Sequence, residues 1–224
     1  MSLKFPNGTV FGFSTALSAA IAVSGISNAN PAIASIGAGA GIGADDVLVL
    51  TSGWSGINER VAVAGAVTES SVVLRGIDTS DNADYPSGGG AGSLVKASDW
   101  IEFNQQGELS TSGGEQQFWT GQFLEDRTGR QIQVPTFKNA KTFTLPLHYD
   151  PDQPWYAAAK RIDSKRSPVV LRMRLPDGDT IYRYGYLSFD SDPTVAVNTP
   201  MQNTMTFSAL TEHTFIAADE EAGS

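Results

Sequence analysis

The sequence predicts an all-β protein with one short helix. Three observations lead there. Runs of strictly alternating apolar and polar residues recur along the chain, the signature of half-buried strands. Gly, Pro, Asn and Asp clusters separate those runs at short intervals, as turns do. Only the stretch near 150–162 spaces its apolar residues as a helix does.

The clearest strand pair spans 167–190. Val169, Leu171, Met173 and Leu175 alternate with Val170, Arg172 and Arg174. Pro176-Asp177-Gly178-Asp179 follows, then a second run, Thr180 to Phe189. Asp-Gly between two alternating runs signals a two-residue type I′ hairpin. That turn pairs Leu175 with Thr180, Met173 with Tyr182, Leu171 with Tyr184 and Val169 with Tyr186. It also sets Arg172 opposite Arg183, beside Arg174. Opposed like charges are unfavourable without an acidic neighbour, on this chain or on a copy of it.

The remaining elements follow in chain order. Phe5-Pro6-Asn7-Gly8 reads as a turn, and residues 9–23 as a strand leading into an Ala-rich segment. Residues 25–44, rich in Gly and Ala, read as a long flexible or extended connection. Asp45 to Ser52 is apolar on both faces, as a buried strand is. With strands at Arg60–Val67 and Ser71–Arg75 it suggests a small meander. Ile77 to Ser93 is the longest loop, and it carries Asp78, Asp81, Asp84, Tyr85, Gly88, Gly89 and Gly90. A loop of that length is commonly functional or an interaction arm. Strands follow at Trp100–Gln105, Gln116–Leu124, Gln131–Thr136 and Lys141–Leu147, with turns at Ser110–Gly114 and Asp126–Gly129.

Asp150 to Ile162 is the predicted helix, with Asp152 as N-cap and Pro154 in the first turn. Trp155, Ala158, Ala159 and Ile162 form one apolar stripe, and so short a helix must lie on a sheet. A loop is expected over 191–202, then a strand with Met205, Phe207 and Ala209 inward. Residues 1–216 thus form one β domain, and the acidic end, 217–224, is expected to be disordered.

The 224 residues, 41% hydrophobic, suffice for one large core. The chain has no Cys, so neither a disulfide framework nor a thiolate site exists. A net charge of −9 disfavours a grip on nucleic acid, which normally needs a basic surface. No apolar run of about 18 residues lacks Ser, Asn or Gly, so no membrane helix is expected.

Residues that carry chemistry are sparse. His148 and His213 are the only histidines, and without Cys or a His-x-x-His spacing a transition-metal site is unsupported. The glycine run at 37–43 lacks both the third glycine of a dinucleotide fingerprint and the Lys-Ser/Thr of a phosphate loop. Asp78, Asp81 and Asp84 do not follow EF-hand spacing. No nucleophile elbow is present. The aromatic residues Trp100, Trp119, Trp155, Tyr182, Tyr184 and Tyr186 fit sheet or helix packing. The sequence therefore predicts neither an enzyme nor a cofactor, metal included. Long Gly-rich segments and an arginine face wanting acid suggest a subunit that exchanges contacts with neighbours.

Several stretches, in order, resemble the major tail tube proteins of long, non-contractile-tailed (lambda-like) bacteriophages. They are SIGAGAGIGADDVLVLTSGWSGINERVAVAGAV, LRGIDTSDNADYPSGGGAGSLVKASDW, QQFWTGQFLED, QIQVPTFKNAKTFTLPLHYDPDQPWYAA and the hairpin ending in YGYLS. The resemblance implies two packed antiparallel sheets with one flanking helix, in a sandwich or barrel-like tail tube fold. It implies hexameric rings stacked into a tube, assembled in the host cytoplasm and carried in the virion. Partners would be further copies, other tail proteins such as the tail tip and terminator, and phage DNA passing without specific binding. Asp78, Asp81, Asp84, Tyr85, Gly88, Gly89, Gly90, Arg172, Arg174 and Arg183 are the expected subunit-interface residues. The alternative is a secreted or surface β-sandwich that binds a ligand.

Overall fold

The computed structural model describes residues 5–125, 127 and 129–218. The acidic end expected to be disordered lies, beyond Ala218, outside the described residues. Its strands, in chain order, are β1 (Val10–Leu17), β2 (Ile21–Ile26), β3 (Ala32–Ile36), β4 (Val47–Ser52), β5 (Val61–Val67), β6 (Ser71–Arg75) and β7 (Gly92–Glu102). β8 (Ser110–Ser112), β9 (Gln116–Gly121), β10 (Ile132–Lys138) and β11 (Thr142–His148) precede the helix α1 (Pro154–Lys165). β12 (Pro168–Arg174), β13 (Thr180–Ala196), β14 (Thr199–Ala209) and β15 (Thr214–Ile216) complete the chain.

The strands build a closed barrel and an open sheet, and the helix adds a third layer. β2, β3, β6, β5, β4 and β7 follow one another and close through a β2–β7 pairing into an antiparallel barrel. The far half of β7 pairs with β1, which starts an open sheet continuing through β12, β13, β14, β11 and β8. The helix lies on the other face of that sheet.

Apolar residues fill each gap. Leu48, Leu50, Leu74 and Leu94 fill the barrel against Ala32, Ala34, Ala62 and Ala64, large against small. Val47, Val49, Val61 and Val63, on the barrel's outer face, pack against Val170, Tyr182 and Ile216 of the open sheet. β4 is thus buried on both faces, as its unbroken apolar run predicts. The sheet's far face carries Phe13, Leu171, Phe207 and Phe189 beneath Trp155, Ala158, Ala159 and Ile162 of the helix. Trp155 is fully buried, between Phe103 and Phe189 at ring separations of 6.0 and 5.9 Å.

The helix buries the predicted stripe but begins later than expected. Gln153, not Asp152, is the N-cap, at φ −71° and ψ 140°. Proline disfavours helical geometry in the residue before it, so the helix starts at Pro154 itself. Asp150 instead braces the approach, accepting from Asp152 N at 3.2 Å and Gln153 Nε2 at 2.8 Å.

The central hairpin differs from expectation by one residue of register. Arg172 lies opposite Tyr182, Leu171 opposite Arg183 and Met173 opposite Ile181. Pro176 is the cause. In the expected turn it would stand opposite Asp179 and have to donate its N–H across the ladder, and proline has no N–H to donate. The chain turns over five residues, with Gly178 N–H donating to Leu175 O at 3.0 Å and Leu175 N–H to Asp179 O at 2.8 Å. Gly178 takes φ +93° to close it. Since a one-residue slip moves side chains to the other face, the Arg172–Arg183 opposition does not exist. Tyr182 and Tyr184 face the barrel, while Leu171 and Met173 face the helix.

Two expected connections are ordered strand. Segment 25–44 holds the end of β2 and all of β3, which pairs with β6. The expected loop at 191–202 is the far end of a β13–β14 hairpin, turning at Val197-Asn198, with Asn198 at φ +59°. Gln116–Leu124 and Gln131–Thr136 do form strands, but β9 and β10 pair only with each other, as a separate two-stranded arm.

Trp155→Ala leaves a large hole beneath the helix. Chemical denaturation should show a loss of about 3–5 kcal/mol, the usual range for a fully buried aromatic.

Candidate subunit interface

The loop from 77 to 93 is pinned to one end of the barrel. Thr79 is buried, and its hydroxyl donates to Ser27 O at 2.6 Å. Asn28 Nδ2 donates to Tyr85 O at 2.6 Å and Thr79 O at 3.2 Å. Trp54 Nε1 donates to Pro86 O at 3.0 Å, and its ring meets Tyr85 edge-on at 5.4 Å. Gly89 and Gly90 lie against the indole, where a Cβ would fall 2.5 and 2.7 Å from ring atoms. Of the loop residues singled out in the sequence, Tyr85, Gly89 and Gly90 are therefore anchors. Asp78, Asp81, Asp84 and Gly88 face outward, and Gly88 sits at φ +85° in open space.

Two of the three aspartates accept hydrogen bonds from within the loop and its neighbours. Asp78 accepts from Ser80 N at 2.9 Å, Ser80 Oγ at 2.7 Å and Asn30 Nδ2 at 2.9 Å. The Ser80 backbone and hydroxyl bonds hold its carboxyl below the usual range. Asp81 Oδ1 accepts from Ala83 N at 2.8 Å. Among the described residues none of the three forms an ion pair. Nor do those residues contain a His, Cys, Asp or Glu group able to hold a metal.

The arginines separate onto two faces. Arg172 stacks on Trp100 at 4.6 Å and donates to Glu102 Oε1 at 3.2 Å, with Arg174 3.8 Å from the same carboxylate. The acid expected for this face is therefore on the same chain. Arg183 lies on the opposite face over Phe143, 4.5 Å from its centroid. Burial lowers its pKa, and the opposing charge of Glu212 offsets this only in part.

The histidines are also apart. His148 ends β11, its N–H bonded to Gln105 O at 3.0 Å. His213 lies near Arg183, Lys141 and Arg60, and burial and those cations lower its pKa. The glycine run at 37–43 ends in a turn where Gly43 N–H donates to Asp46 Oδ2 at 2.7 Å. No helix among the described residues is long and apolar enough to cross a membrane.

Two apolar projections were not singled out by the sequence. Along the β9–β10 arm, Phe118, Phe123 and Phe137 are 54, 54 and 65% exposed. Both faces of the arm are apolar: Trp119 pairs with Val134 on one, Phe118 with Pro135 on the other. The β13–β14 tip exposes Val195, Val197 and Met201. One sequence signal for the arm was present: Pro135 inside a strand run belongs to an edge.

An all-β subunit with a closed barrel, a second sheet and uncovered projections is the class these features define. The profile of the family described as "Phage tail tube protein, TTP" matches residues 52–218. The chain belongs to the phage tail tube protein family, a structural and not an enzymatic one. Solved structures with a similar fold include "Tail of empty GTA particle computed with helical refinement, C6 symmetry", at 13% identity and TM-score 0.40, covering 53% of this chain and 87% of that one. A second is "Cryo-EM structure of the anti-feeding prophage (AFP) baseplate, 6-fold symmetrised", at 12% identity and TM-score 0.37, covering 54% and 86%. No curated protein matches the sequence significantly.

Gly90→Ala pushes a methyl into the Trp54 indole. Hydrogen exchange and limited proteolysis should show the 77–93 loop opening at least about tenfold more readily, with little change in the helix; unchanged loop protection refutes the anchoring role.

Proposed function

We propose that this chain builds the tail tube by association with its own copies. The arm supports this reading most directly. An isolated two-stranded sheet is marginal in water, and this one exposes aromatic side chains on both faces. A neighbouring copy supplies the missing cover, and the Val195–Met201 tip is a second such contact.

Rings of six copies, stacked into a cylinder that conducts DNA, extend the reading; the number six rests on the family resemblance. The net charge of −9 supports the conducting role. A lumen lined with Lys or Arg would hold DNA by counterion release, whereas an acidic wall lets it slide. Arg172, Arg174 and Arg183 then belong at subunit contacts and away from the lumen. The tail tip and terminator proteins would cap the two ends of the cylinder.

Electron microscopy of concentrated protein tests assembly. The wild type should form rings or tubes. The triple variant Phe118→Ser, Trp119→Ser, Phe137→Ser should remain monomeric while its unfolding free energy stays within about 0.5 kcal/mol of wild type, as for exposed sites. Tubes from the triple variant would remove the arm from the assembly.

A further inference from the structure

A cleft of about 530 Å³ opens between the base of the arm and the connection from β14 to β15. Lys138, Lys141, Arg183, Glu212 and His213 line it. Arg60 adds a charge behind it, with Nη2 3.4 Å from His213 O. The acids nearby are few. Glu212 lies 3.8 Å from Lys138 with both side chains largely exposed, and Glu115 bonds Asn139 Nδ2 at 3.4 Å on the rim. Lys141 and Arg183 flank the Phe143 ring at 5.7 and 4.5 Å, and neither forms an ion pair among the described residues. On a chain of net charge −9, this is a concentrated site of positive charge that Glu212 offsets only in part.

The matching acid is present elsewhere on the same chain. Asp78, Asp81 and Asp84 project from a loop that Trp54, Asn28 and Thr79 hold in place, and among the described residues they pair with no cation. We propose that the Asp78–Asp84 turn of one copy docks in the Lys141–Arg183 cleft of the next. The inference rests on the tube reading and names a contact within it. A contact between two unlike patches is head-to-tail, the type that closes rings or extends filaments. The loop is ordered beforehand, so docking it loses little conformational freedom. Copies that repel through their net charge associate more readily where local charge is complementary, and this pairing supplies that complement.

The chain has no cysteine, which permits a clean cross-linking test. Asp84→Cys and Lys141→Cys chains are prepared separately, mixed and oxidised. A control mixture pairs Asp84→Cys with Ser188→Cys, an exposed site on β13. The first mixture should give disulfide-linked dimer at least about tenfold above the control. Lys141 is exposed, so Lys141→Glu should fold normally, as its thermal transition will show. It should raise the concentration needed for rings about tenfold, and Lys141→Glu with Asp84→Lys in one chain should restore it. Rings without the cross-link, and unchanged assembly by Lys141→Glu, overturn this contact and leave the tube reading standing. Neither rings nor cross-link from any mixture overturns both.

Discussion

Strand β7 is shared by two sheets, and the rest of the fold depends on that. Its first residues pair on one side with β2 and on the other with β4, closing the barrel. Its last residues pair with β1 and open the second sheet. The two sheets are therefore one hydrogen-bonded surface that curls at one end and lies open at the other. Gly92 stands where β2 and β4 both reach β7, opposite Val23 and Ser52. A Cβ there would overlap the Thr51 carbonyl, so only glycine permits the closure. The loop, 77–91, runs directly into β7, so its aspartates take their position from the same junction.

Three layers of burial follow from that junction and account for most of the apolar sequence. The barrel's outer face and the open sheet share the valine layer, and the helix covers the sheet's other side. β15 ties the layers together: Thr214 Oγ1 donates to Val61 O of the barrel while the strand itself pairs with β13. The apolar residues left over are concentrated at the arm and at the Val195–Met201 tip. Exposure so localised, on elements that extend from an otherwise complete core, is the pattern on which the proposed contact between copies rests.

What the sequence revealed depended on how local the physics was. The helix stripe was legible because spacing of three and four residues fixes a helix face by itself. Burial of β4 was legible because four consecutive apolar residues leave no polar side. The hairpin was legible as a hairpin, but its register was not read correctly, because Pro176 overrode the Asp-Gly signal. Segment 25–44 resembled a linker since the barrel interior is narrow and takes Ala32 and Ala34 where a wider core would take Leu or Ile. Barrel closure was invisible: β2 meets β7 and β3 meets β6 across long stretches of chain, and no local pattern encodes such pairings. For the interface, exposure of the three aspartates followed from composition. The cleft of Lys141, Arg183 and His213 did not, since its lining comes from the turn between β10 and β11, from β13 and from the approach to β15.

A chain that associates with itself, as proposed, would also have to avoid associating indiscriminately, and its strand edges are arranged accordingly. The barrel has no edges. The open sheet ends in β8, only three residues long, and β15 beside β13 is equally short. Two consecutive glycines at positive φ, Gly113 and Gly114, stop β8 from lengthening. In the arm, Pro135 removes a donor from β10, and a bulge between Pro135 and Lys138 breaks its regularity. Backbone pairing between copies thus finds few ready templates among the described residues. In the proposed assembly, recognition is left to side chains: aromatic on the arm, anionic on the pinned loop, cationic in the cleft. Side-chain contacts of that kind specify orientation as well as attraction, which backbone edges do not, and a repeating assembly requires both.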